Sequence, residues 1–190
     1  MRLMTALAII AGSISLWTPA GSAQELGAPS GIEMMAAKER AQKLVIVIRK
    51  KPSDLATRRQ LVQALLQAGF AERAAVEMQG LVKCGLRSAD DFCLLGDAYR
   101  FAGKVTSAIS NYMEAINISP YHAHAKAGLA ICYMSAGHAK TGEKVCKDAL
   151  ATIRDVNGRK ELFNTLKTIK DNELQASMER LAAANQKMDI

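Results

Sequence analysis

Aromatic residues make up only 5% of this 190-residue chain, and tryptophan occurs once. Scarce aromatics and plentiful alanine suit closely packed helices and leave no series of base-stacking positions. Concentrated charge is also missing. The net charge is +7, acids are interspersed with bases, and the only basic concentrations are Arg49-Lys50-Lys51 and Arg58-Arg59. That pattern describes solvated helix surfaces and excludes a nucleic-acid track. No phosphate-cradling glycine loop, nucleophile elbow or isolated acidic pair is present, so neither an enzymatic site nor a small-molecule substrate is expected. The three histidines lack metal-ligand spacing. His122 and His124 are two residues apart and would not share a helical face, His138 follows a turn glycine, and there is no CxxC pair or His-Glu-x-x-His run. No metal set and no cofactor are expected, and the histidines read as exposed turn residues.

The one long apolar run, Leu3–Trp17, is short for a membrane span and is interrupted by Gly12 and Ser13. Arg2 precedes it, and Gly21-Ser22-Ala23 ahead of Gln24 supplies the small side chains of a signal-peptidase site. Residues 1–23 are therefore expected to be a signal peptide and the mature chain to start near Gln24. No cysteine lies near that site, so no lipid anchor is expected. Export to a bacterial periplasm fits best. Residues 24–54 read as a lead-in followed by an N-terminal capping helix or degenerate half-repeat. Ser30 and Glu33 sit as capping residues, and Lys50-Lys51-Pro52 ends the helix. Ser53-Asp54 caps the next one.

The most informative stretch is Ala89–His122. Phe92, Leu95, Gly96 and Tyr99 share one helical face. After Gly103, Ala108, Ile109, Tyr112, Ala115 and Ile116 share another, and Pro120 closes the unit. The stretch is 34 residues long, and related patterns begin at Leu55 and Ala123, one period to either side. Leu61, Val62, Leu65 and Gly69 stand in the first unit; Leu129, Ala130, Tyr133 and Gly137 stand in the third. Val62 for the small glycine, and Leu86 and Arg154 for the closing proline, are the departures. The chain resembles the tetratricopeptide-repeat family. The resemblance implies an all-α, right-handed α-solenoid with three repeats (55–88, 89–122, 123–156). Beyond it, 157–190 is expected to form a C-terminal capping region, kinked or broken near Asp171-Asn172 and frayed from Asn185.

In that fold, Cys84 with Cys93 and Cys132 with Cys146 are the preferred disulfide pairs, against the alternative that the thiols are small core residues. The resemblance also implies a protein-binding groove lined by the first helix of each repeat. Its expected contacts are Arg59, Gln63 and Leu66, then Asp97, Arg100 and Phe101, then Ile131 and Met134. The alternative for Leu66 and Ile131 is packing against capping helices. Gln63 and Asp97 stand where a carboxylate-clamping member of the family needs asparagine, and Asp97 would repel a carboxylate, so that subclass is disfavoured. The expected partner is a helix or peptide segment of another protein, and the expected role is a non-enzymatic adaptor in envelope assembly such as pili or secretion systems. The alternatives are a self-associating structural protein, as a homodimer, or a cell-envelope enzyme.

Overall fold

The computed structural model describes residues 30–188; the expected signal peptide and its cleavage site lie outside them. Helix α1 (Gly31–Lys50) starts at a capping box. The Ser30 hydroxyl accepts from the Glu33 backbone N–H, and the Glu33 carboxylate accepts from that of Ser30. Three helical pairs follow: α2 (Leu55–Gln67) with α3 (Ala71–Lys83), α4 (Ala89–Phe101) with α5 (Val105–Ile118), and α6 (Ala123–Ser135) with α7 (Ala139–Thr152). The first helices begin at Leu55, Ala89 and Ala123, the expected period. Each is capped by a side chain that accepts a backbone N–H: Asp54, Ser88 and His122. Each pair turns on a left-handed glycine, Gly69 (φ 79°), Gly103 (φ 73°) and Gly137 (φ 82°). In all three turns the next residue's N–H returns to the third carbonyl from the helix end, as in Phe70 to Leu65 and Lys104 to Tyr99. The same device at Gly85 ends α3, with the Leu86 N–H bonded to the Leu81 carbonyl. A glycine turn thus does the work of the proline missing there.

The last helix, α8 (Val156–Met188), is one continuous element. The expected division into two helical pieces at Asp171-Asn172 does not occur: both residues lie within α8, and Asn172 Nδ2 contacts Met134 Sδ on α6 (3.3 Å). Helical backbone continues through 188, past the expected start of fraying. Among the described residues no helix is long and apolar enough to cross a membrane.

The stacking sets the curvature. Each helix packs on the next in sequence, α2 touches α4, α4 touches α6 and α6 touches α8, whereas α3, α5 and α7 do not touch one another. The first helices of the pairs therefore crowd the inner side and the second helices fan out on the outer side, giving a curved solenoid whose inner wall is α2, α4, α6 and α8. At its centre lies Tyr112, fully buried. Its ring fits only because Gly96 and Gly128 flank it: a Cβ at Gly96 would stand 2.8 Å from two ring carbons, and one at Gly128 would come closer still. Gly128→Ala is expected to cost about 1–3 kcal/mol through overpacking, read as a lower urea midpoint with an unchanged slope.

Candidate functional site

The inner wall is laced by polar contacts between successive first helices. Arg59 on α2 pairs with Asp91 on α4, and Asp90 on α4 with His122 at the head of α6. Both pairs join residues 32 apart in sequence, each linking the first helix of one repeat to that of the next, though at different positions within the repeat. Asp91 is almost completely buried. Burial pushes its carboxyl up, but hydrogen bonds from the Ser88 hydroxyl and backbone N–H, joined by Arg59, more than offset this and hold it below the usual carboxylate range.

Further along the wall, Asp97 gathers three donors. Its Oδ1 accepts from the Tyr112 hydroxyl (2.6 Å) and from Arg100 (3.3 Å), and its Oδ2 faces His124 Nε2 (2.9 Å). His124 Nδ1 in turn contacts Glu161 on α8. One imidazole therefore joins α4, α6 and α8. Hydrogen bonds to Asp97 and Glu161 outweigh desolvation and raise its pKa to about 10. The Asp97 carboxyl, pushed up by burial, is brought below its ordinary value by His124, Tyr112 and Arg100. Tyr112 rises well above a free phenol, first through burial and then through the Asp97 charge.

The expected groove residues divide into three groups. Gln63 is exposed on α2, and Phe101 stands 61% exposed at the end of α4. The Arg100 guanidinium lies 4.1 Å from the Phe101 ring centroid, a cation–π contact. Beside it, an open crevice of about 450 Å³ runs past Phe101 to the first turn at Gly69, Phe70 and Ala71. Arg59, Asp97 and Arg100 also lie on the wall, but their charges are engaged within the chain. Leu66 and Met134 are half-buried against core clusters, Met134 beneath α8, and Ile131 is half-buried. Charge reversal at Arg100 would set a carboxylate against Asp97, so Phe101 is the better position for probing contacts.

The expected disulfides are not formed; all four thiols are free. Cys84 is the exposed C-cap of α3, while Cys93 is buried in the cluster around Tyr112 together with Cys132. Cys146 belongs to the next cluster, with Leu162 and Ile169. Burial raises the Cys132 and Cys146 thiols to about 11, as befits small core residues.

The histidines also depart from expectation. His122 caps α6 and His124 ties three inner helices together, so neither is merely a turn residue. Reading along single helices missed these pairs. Comparing facing positions on successive first helices would have raised them.

No family model matches the sequence, and no curated protein does. Solved structures match its fold. MamA from Desulfovibrio magneticus RS-1 (residues 41 to the end) is 15% identical, with TM-score 0.58, over 63% of this chain and 68% of that one. Another MamA crystal structure is 18% identical, with TM-score 0.55, over 73% and 89%. A thermophilic TPR protein of Thermus thermophilus is 20% identical, with TM-score 0.56, over 84% and 90%.

Proposed function

From the tetratricopeptide-repeat fold of this chain, we propose that it is a non-enzymatic scaffold that docks a helix or extended segment of another protein along its inner wall. The observation that carries the reading is Phe101: a largely exposed aromatic under the Arg100 guanidinium, on a wall whose other charges are mostly engaged within the chain. Aromatic and arginine anchors carry a disproportionate share of interface energy. Gln63 adds an exposed polar contact on the same wall. The crevice beside Phe70 accommodates a side chain of the docked segment. The signal-like N-terminus favours a periplasmic setting, in which pilus or secretion-system assembly supplies suitable partners.

Phe101→Ala is expected to weaken partner binding about thirtyfold, from the ~2 kcal/mol of an aromatic hot spot. Stability should stay within about 0.5 kcal/mol, because the ring is mostly in solvent. Quantitative pull-down from the envelope fraction, beside urea denaturation of the same variant, checks both. Undiminished capture with an intact fold would reject this contact.

Self-association is the second reading, favoured by Leu174, Met178 and Leu181. They form one exposed apolar stripe on α8, each more than 60% exposed. Light scattering separates the two: a dimer dissolved by Leu174→Glu, with no dependence on Phe101, supports self-burial along α8.

A further inference from the structure

We propose that Cys93, Asp97 and His124 form a binding site for a divalent transition-metal cation, zinc foremost, on the inner wall of the solenoid. The Cys93 sulfur, an Asp97 carboxylate oxygen and a His124 ring nitrogen all lie within 4.8 Å of one another. Zinc bonds of about 2.0–2.3 Å set tetrahedral ligand atoms roughly 3.3–3.8 Å apart, so the sulfur needs to move in by at most about 1.5 Å while Oδ2 and Nε2 open by a few tenths of an ångström. Cys93 and Asp97 are four residues apart on α4 and share its face. His124 reaches them from the first turn of α6.

The surroundings orient each ligand. Tyr112 and Arg100 hold Asp97 Oδ1, leaving Oδ2 turned toward the imidazole. Glu161 holds His124 Nδ1, so Nε2 is the nitrogen presented to the site. A carboxylate behind a ligating imidazole is the usual second support of a metal-bound histidine, fixing its tautomer and raising its basicity.

The donor set selects the ion. One sulfur, one nitrogen and one oxygen suit a borderline cation such as zinc, while calcium and magnesium require oxygen cages. Cys93 and Asp97 are largely covered, but His124 is about half exposed, leaving an open side where water completes four-coordination. Coordination releases the Cys93 thiol proton and the Nε2 proton to solvent, and Nδ1 keeps its proton for Glu161. The Nε2–Oδ2 hydrogen bond is exchanged for two bonds to the metal.

The test is titration of the purified chain with Zn²⁺ alone against a chromophoric chelator, and with Co²⁺ followed by near-ultraviolet absorbance. One equivalent should bind, and Co²⁺ should give a thiolate-to-metal charge-transfer band. Cys93→Ser should abolish the band and weaken Zn²⁺ binding at least tenfold. Glu161→Gln, which removes only the support behind His124, should weaken it about 10–100-fold. Cys84→Ser, at an exposed thiol on another helix end, should change nothing. If Cys93→Ser does not fold, His124→Gln carries the same reading, because that side chain is half exposed. Absence of one-equivalent binding, a band that survives Cys93→Ser, or a band lost with Cys84→Ser would overturn the site.

Discussion

Tyr112→Ala is expected to lower the free energy of unfolding by about 4 kcal/mol, the largest effect of any single truncation in the central repeat. Removing a fully buried aromatic side chain costs about 3–5 kcal/mol through lost transfer energy and the cavity left behind. The cavity here cannot collapse easily. Its walls are the backbones of α4 and α6 at Gly96 and Gly128, which already approach the ring without side chains. The hydroxyl adds a polar loss, because it donates to Asp97 and accepts from Arg100. Tyr112→Phe isolates that part and is expected to cost about 1–3 kcal/mol, the range for leaving a buried partner unsatisfied. Urea denaturation of both variants checks the ordering. A loss below about 1 kcal/mol for Tyr112→Ala would mean that the ring is not the keystone between these repeats.

Asp91→Ala is expected to cost about 3 kcal/mol, and the cost should depend on pH. The substitution removes half of the Ser88 capping box, worth about 1 kcal/mol. It also takes the buried partner from Arg59, whose Nε is itself buried without a hydrogen-bond partner. Breaking a buried pair costs about 3–5 kcal/mol, which is discounted because the Arg59 side chain is 38% exposed. The folded state holds the Asp91 carboxyl below its unfolded value. Its contribution is therefore fully present above the ordinary carboxylate pKa of about 4 and is lost as pH falls through the lowered folded value. The stability gap between the parent and Asp91→Ala should be constant from pH 7 to about 5 and shrink below about 4. A gap unchanged down to pH 3 would show that the carboxylate charge is not what Arg59 and Ser88 stabilise.

Much of the fold was legible because its signals are local. Ser30 with Glu33, Asp54, and the turn glycines Gly69, Gly103 and Gly137 each act within a few residues, and the turn glycines recur on a constant period. The closing of α3 was less legible, since the expected proline is replaced by a glycine turn one residue before Leu86. Continuity of α8 was misjudged for a tertiary reason: a phase shift at Asp171-Asn172 suggests a break only if the helix must follow one apolar stripe, whereas Asn172 meets Met134 instead. The wall chemistry was the hardest to foresee. Asp97, His124 and Glu161 are separated by 27 and 37 residues, and only the superposition of α4, α6 and α8 joins them. The cysteines are near in sequence but separated by packing: Cys84 sits exposed at the end of α3 while Cys93 is buried around Tyr112, and Cys132 and Cys146 belong to different core clusters.

The measurement that tests the proposed role most directly is site-specific photocrosslinking in the native envelope, with the crosslinker at Gln63 on the inner wall and, separately, at Val76 on the outer helix α3. Both positions are exposed, so reactivity alone does not distinguish them. Docking along the inner wall predicts one discrete adduct with a second polypeptide from Gln63, weakened by Phe101→Ala, and none from Val76. Equal adducts from both positions, or an adduct from Val76 alone, would contradict it.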